Sequence, residues 1–98
     1  LGGILAKRSL GTEQIRTIDA AIRSSLEYAH RHPGEARDYI QKHAQELDDN
    51  VIDSHIALYV NDFSLDLGDD GIRAVEALLS RAEERGLIPA NDKPLIVS

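Results

Sequence analysis

Apolar residues recur at intervals of three and four positions over most of this chain, which is the spacing of one face of an α-helix. The clearest run consists of Ile15, Ile18, Ile22, Leu26 and Ala29. A second clear run consists of Ile72, Val75, Leu78, Leu79 and Ala82. With two weaker runs between them, the pattern predicts four helices near residues 12–31, 34–46, 50–60 and 69–86.

Residues that start and stop helices lie at the ends of these runs. Thr12 is a candidate N-cap for the first helix, and Pro33 ends it because proline disfavours helical geometry at the residue before it. Asp48 or Asp49 is expected to cap the third helix. Gly86 is expected to end the fourth, since glycine readily adopts the left-handed conformation found beyond helix C-termini.

The first eight residues lack helical spacing. Gly2 and Gly3 precede Ile4 and Leu5, and we predict a short strand that ends at Arg8. The predicted fold class is therefore mainly α, with four helices plus one short N-terminal strand. Adjacent glycines allow the backbone to approach a ligand or another strand closely. A flexible start to the chain is the alternative interpretation.

Residues 63–67 alternate between apolar and polar, with Phe63, Leu65 and Leu67 in the apolar positions. Alternation favours an extended segment that points these three side chains to one side. The last eight residues, 91–98, contain a short apolar run without a partner in the sequence. We therefore divide the chain into a segment 1–90 and a tail 91–98, for which disorder and an artificial origin are both open.

Composition narrows the classes of function. The chain has 98 residues and no Cys, which excludes disulfides, thiolate metal sites and Cys nucleophiles. It has no Met either, so we expect a processed product, a fragment or an engineered chain. The net charge of −6 argues against nucleic acid as a partner, because such binding depends on neutralising phosphates. No apolar run is long enough to span a bilayer, and a cytoplasmic protein is the default expectation.

The titratable residues do not form a recognisable catalytic pattern. The four histidines, His30, His32, His43 and His55, include no pair spaced four apart and have no Cys to assist them. Paired carboxylates at 48–49 and 69–70 lie at helix starts, where capping explains them. No phosphate loop or nucleotide-binding fingerprint is present. We therefore predict no cofactor, no metal site and no complete active site within this chain.

Three stretches resemble 1,4-dihydroxy-6-naphthoate synthases, enzymes of the futalosine route to menaquinone. The most specific is Tyr-Val-Asn-Asp-Phe-Ser-Leu-Asp-Leu-Gly at 59–68, preceded by His55. The others are Leu-Gly-Gly at 1–3 with Arg-Ser-Leu-Gly at 8–11, and Ser-Leu-Glu-Tyr-Ala at 25–29 with His-Pro at 32–33. The resemblance covers residues 1–89.

This resemblance implies that the chain is the C-terminal fragment of a two-lobed α/β fold of the type II periplasmic-binding-protein kind. The family converts cyclic dehypoxanthine futalosine to 1,4-dihydroxy-6-naphthoate in a cleft between the lobes. The histidine proposed as its base lies upstream of the matched region, so none of the four histidines here inherits that role. The family's Pro-Leu-Gly segment lies near the cleft, and only Leu1-Gly2 of it is present, which makes Gly2 and Gly3 the candidate substrate-binding residues.

Three functional interpretations remain. In the first, the chain is part of such a synthase and is inactive alone. In the second, it is a sister protein on the same scaffold, such as a chorismate dehydratase or a solute-binding protein. In the third, it is a freestanding helical interaction module. The expected partner of the complete enzyme is a small-molecule substrate. The two long apolar stripes need cover, so we expect the isolated chain to form a homo-oligomer, most simply a dimer.

Overall fold

A computed structural model describes residues 3–45 and 48–96. It contains a 3-10 turn at Arg8–Leu10 and then five α-helices. The helices are α1 (Thr12–Arg31), α2 (Arg37–His43), α3 (Asp49–Tyr59), α4 (Asp62–Leu65) and α5 (Gly68–Glu84). Four of them correspond to the predicted helices, and α4 was not predicted.

Helix α1 has the predicted bounds. It is capped by Gly11 rather than by Thr12, which is the first helical residue, and the positive φ of 82° at Gly11 suits glycine. The helix ends at Arg31, and the backbone N–H of the C-cap residue His32 donates to the carbonyl of Tyr28 at 3.0 Å. Proline at position 33 prevents the helix from continuing.

Helices α2 and α3 differ in how well their ends were predicted. Helix α2 begins three residues later than expected, because residues 33–36 form a turn in which the N–H of Glu35 donates to the carbonyl of His32. Helix α3 is capped as predicted by Asp48, whose carboxylate accepts from the N–H groups of Asn50 and Val51. That cap satisfies two of the N–H groups that a helix start leaves unpaired.

The expected extended segment at 63–67 is wrong for its first half, which forms α4. The Asn61 side chain accepts from the N–H of Phe63, and the Ser64 hydroxyl accepts from the N–H of Asn61, both at 3.0 Å. This reciprocal pair is a capping box, and it stabilises a helical turn locally. The alternating pattern is therefore overridden by the cap, and Phe63 is exposed.

Helix α5 ends in the manner predicted from Gly86. The N–H of Gly86 donates to Glu83 and the N–H of Leu87 donates to Ala82, each at 2.9 Å, while Gly86 has a φ of 69°. These two bonds form a Schellman motif. The apolar contact that often accompanies it is absent, because the Leu87 side chain is exposed.

The predicted N-terminal strand is wrong. Residues 3–7 are irregular and exposed, and the described part of the chain contains no strand at all. A strand needs a neighbour to pair its backbone N–H and C=O groups, and the helical remainder offers none. For the same reason, the two-lobed α/β architecture implied by the resemblance is not formed within these residues.

The hydrophobic core is very small. Among the described residues, Ile52 of α3 is the only buried one, at 5% exposure. Helix α1 packs against α4 and against the 3-10 turn, and its residues Ile15, Ile22 and Leu26 are half-buried. The Cα radius of gyration is 16.6 Å, against about 13 Å for a compact domain of this length. The described helices thus form an extended arrangement with little packing between them.

Candidate functional site

The two predicted substrate-binding residues lie at the very start of the chain. Gly2 is outside the described residues. Gly3 lies in the exposed N-terminal segment, and a Cβ added there would meet no atom within 4 Å. The substrate-binding role of this pair therefore stays a prediction, and the structure surrounds Gly3 with open space rather than with a formed wall.

An open hollow of about 520 Å³ lies where this N-terminal segment joins α1. It is lined by Leu10, Gly11, Thr12, Glu13, Gln14 and Thr17. Glycine at the N-cap position provides no side-chain cap to the helix start. The Thr17 hydroxyl already donates to the carbonyl of Glu13 at 3.1 Å, and Glu13 places a carboxylate beside the positive end of the helix. The hollow thus offers hydroxyl, amide and carboxylate groups at its surface.

A second hollow of about 260 Å³ lies between α5 and the segment after it. Arg8 and Lys93 line it together with Glu76 and Glu83, so its formal charges balance. One Glu83 carboxylate oxygen accepts from the N–H of Asn91 at 3.3 Å, which holds the segment beside the helix. Balanced charges favour neither an anionic nor a cationic ligand here.

Asp66 and Arg23 join the connector before α5 to the first helix. The Asp66 carboxylate lies 3.5 Å from the Arg23 guanidinium and accepts from the N–H of Gly68 at 2.8 Å. That backbone bond lowers the pKa of Asp66 below its usual value, with a smaller contribution from Arg23. A carboxylate kept ionised in this way holds the connector in place and is poorly suited to act as a general acid.

Arg37 joins α2 to α3. Its guanidinium bonds to the carboxylate of Asp53, and this bond raises the pKa of Arg37. Its Nη1 is 3.8 Å from the Asp49 carboxylate, which instead accepts from the amide of Gln41 at 2.7 Å. Asp53, Asp49 and Gln41 are bonded within this cluster and join the two helices, whereas the buried Nη1 of Arg37 has no hydrogen-bond partner among the described residues.

All three tyrosines lie against a histidine four residues away on the same helix. The ring centroids are 4.3 Å apart for Tyr28 and His32, 4.4 Å for Tyr39 and His43, and 4.8 Å for His55 and Tyr59. This is the i,i+4 spacing that brings side chains together on a helix.

Tyr28 has a second polar partner. Its hydroxyl donates to the Glu35 carboxylate at 2.5 Å, and this bond raises the pKa of Tyr28. Residues 3–45 and 48–96 contain no group of three or more His, Asp or Glu side chains placed to hold a metal ion. The histidines and paired carboxylates considered in the sequence are therefore not grouped as metal ligands in these ranges.

The contacts that sequence reasoning missed are mostly between helices. The partners in Arg23–Asp66 and Arg37–Asp53 are far apart in sequence, and no local spacing could have indicated them. The tyrosine–histidine pairs could have been found from their four-residue spacing.

None of the helices in the described ranges is both long and apolar enough to cross a membrane.

Comparison with known proteins adds what the geometry lacks. Residues 1–84 match the family described as "Menaquinone biosynthesis". The chain is 54% identical over 97 residues to a protein of Thermus thermophilus named 1,4-dihydroxy-6-naphtoate synthase. The aligned region covers 99% of this chain and 36% of that protein. It is 48% identical over 90 residues to a Streptomyces coelicolor protein of the same name, covering 92% of this chain and 32% of that one. The chain thus spans about a third of the length of these relatives.

Proposed function

We propose, starting from the finding that this chain belongs to the menaquinone biosynthesis family, that it is the C-terminal part of a 1,4-dihydroxy-6-naphthoate synthase. The observation that carries this proposal is 54% identity over nearly the whole chain to a relative bearing that name. A second relative of the same name, from a different organism, supports it independently. The resemblance noted at residues 59–68 points to the same enzymes.

The reaction proposed for the complete enzyme is the conversion of cyclic dehypoxanthine futalosine to 1,4-dihydroxy-6-naphthoate. This is a lyase-type step of the futalosine route, which we place in the cytoplasm. The resemblance places the family's proposed base, a histidine, upstream of the residues matched here. The catalytic base is therefore assigned to the part of the enzyme outside this chain, and the chain alone is expected to be inactive.

Within the complete enzyme, Gly2 and Gly3 are proposed to contact the substrate. The open space around Gly3 leaves room for a ligand or for the rest of the enzyme to approach the backbone closely. A side chain added at that position would occupy the space. The proposal depends on the position of these glycines in the sequence and on the family resemblance.

Two other interpretations are disfavoured by specific observations. A sister protein on the same scaffold, such as a chorismate dehydratase, is disfavoured because both relatives bear the synthase name. A freestanding helical module should have a dry core of its own, whereas Ile52 is the only buried side chain described.

The test is a chimera in which this chain replaces the matched 97 residues of the Thermus synthase. We expect the purified chimera to form 1,4-dihydroxy-6-naphthoate from cyclic dehypoxanthine futalosine, measured by liquid chromatography, while the isolated chain forms none. The unaltered Thermus protein is the positive control. Turnover by the isolated chain would contradict the proposed division of the active site, and a folded but inactive chimera would contradict the assignment to this enzyme.

A further inference from the structure

Helix α3 is apolar around an unusually wide arc. At 100° per residue, the apolar residues of α3 fall within about 160° of the helix circumference, in the order Leu58, Val51, Tyr59, Ile52 and Ile56. A helix on the surface of a globular protein needs an apolar stripe of only about 100°. The apolar arc of α3 therefore extends beyond what packing on one side requires.

Only Ile52, near the middle of this arc, is well covered in the structure, at 5% exposure. Its neighbours Ile56 and Tyr59 are 36% and 54% exposed, and Val51 and Leu58, at one edge of the arc, are 46% and 66% exposed. We call Val51, His55 and Leu58 the outer face of α3. Phe63 at the start of α4 is also exposed, at 62%. The outer face is thus an unpartnered apolar surface with a further exposed aromatic residue shortly after it in the chain.

The total accessible surface area indicates how much surface the chain leaves uncovered. The chain exposes 8467 Å², whereas a folded monomer of 10.8 kDa exposes about 5,500 Å². The excess is about 2,900 Å², and a standard-size dimer removes only about 800 Å² from each partner. A second copy of this chain docked in the ordinary way would leave most of the excess uncovered.

The relatives supply an occupant of sufficient size. The chain matches 36% of the Thermus synthase, so about two thirds of that protein has no counterpart here. We infer that the outer face of α3 is the surface on which this remaining polypeptide of the synthase packs. The inference rests on the proposed function, because it takes the rest of such an enzyme as the partner.

The experiment uses the absence of cysteine from the chain. Leu58→Cys places a thiol on the outer face, and Ala57→Cys places a matched thiol about 100° away, between Asn50 and Asp53 on the polar side of the same helix. Each substitution is made in the chimera described above and in the isolated chain. The rate of labelling by a water-soluble maleimide is measured at the α3 peptide by mass spectrometry, at several protein concentrations.

We expect the thiol at position 58 to react at least about tenfold more slowly in the chimera than in the isolated chain at its lowest concentration. The thiol at position 57 should react at similar rates in both. Equal reactivity of the two thiols in the chimera would overturn the inference. Protection at position 58 that appears only as the chimera is concentrated would also overturn it, because a second copy would then be the occupant.

A chimera that fails to fold would not end the test. The same two substitutions are then made at the aligned positions of the intact Thermus synthase, where the same rates decide the question. Activity is measured separately on the chimera without cysteine. An active chimera with an exposed thiol at position 58 would refute the packing surface alone, and an inactive, folded chimera with a protected thiol would refute the proposed function alone.

Discussion

Ile52 is the side chain whose loss should affect the isolated chain most. It is 5% exposed, and it is the only buried residue in the described ranges. Replacing it with alanine removes three carbon groups from a buried environment, each worth about 0.8 kcal/mol, so the transfer term alone is about 2.4 kcal/mol. Buried Ile→Ala substitutions cost about 2–5 kcal/mol, and the loose packing here favours the lower end because neighbours can move into the space.

Val51 provides a matched control on the same helix. Its side chain is about half exposed, so Val51→Ala should lose less than about 1 kcal/mol of burial. The higher helix propensity of alanine returns up to about 0.7 kcal/mol of that loss. The two effects nearly cancel, and we expect a change in stability close to zero. The contrast between neighbouring positions therefore reports burial rather than helix formation.

The assay is urea unfolding of the isolated chain followed by far-ultraviolet circular dichroism. We expect a lower unfolding midpoint for Ile52→Ala, an intermediate one for Ile52→Val, which should cost about 1 kcal/mol, and an unchanged one for Val51→Ala. Equal destabilisation by Ile52→Ala and Val51→Ala would refute the assignment of the two faces. A gradual, non-cooperative loss of helix in the unsubstituted chain would show that Ile52 does not anchor a cooperative unit.

Four further predictions follow from other parts of the chain. In the active chimera, Gly3→Val should raise KM or abolish turnover without unfolding the protein, whereas Gly34→Val, at a glycine that also has open space around it, should leave the kinetics unchanged. Asn61→Ala should destabilise the isolated chain by about 1 kcal/mol through loss of the cap at α4, measured by urea unfolding, and an unchanged midpoint would contradict the cap. Asp66 has a lowered pKa in the folded chain, so its contribution is present above its unfolded value of about 3.9 and is lost as the pH falls through the folded value. The midpoints of the unsubstituted chain and Asp66→Asn should accordingly differ at pH 7 and converge below pH 4, and a difference independent of pH would exclude this origin. Sedimentation equilibrium of the isolated chain at micromolar concentrations should show a homo-oligomer, and a monomer at all concentrations with a cooperative melt would favour a self-sufficient helical module.

The long helices could be predicted because their signals are local. The stripe of α1 and the glycine that ends α5 act within a few residues, and both ends of α1 agree with the prediction. Helix α4 was missed although its signal is equally local. Asn61 and Ser64 have the three-residue spacing of a capping box, but the alternation of apolar residues over the same positions indicated an extended segment. The hydrogen bonds of the cap prevailed because the exposed apolar side chains gained nothing from lying on one side.

The contacts between helices could not be predicted from spacing. Arg37 meets Asp53 across sixteen positions, and Arg23 meets Asp66 only because α1 packs against α4. Such pairs depend on how helices are placed relative to one another, which a single sequence does not encode in any local pattern. The candidate site is limited in the same way, because Gly2 and Gly3 would gain chemical meaning only from residues that lie elsewhere in a complete enzyme.

The outer face of α3 shows where a local pattern stops being informative. Leu58 is apolar yet exposed on a well-formed helix, and the apolar arc of α3, at about 160°, is wider than the stripe of about 100° that one packed side requires. The exposed apolar residues Ile4 and Leu5 do not form a strand, because the described residues around them offer no backbone to pair with. Relatives about three times as long contain enough polypeptide to cover the outer face, and this is the occupant that we infer for it.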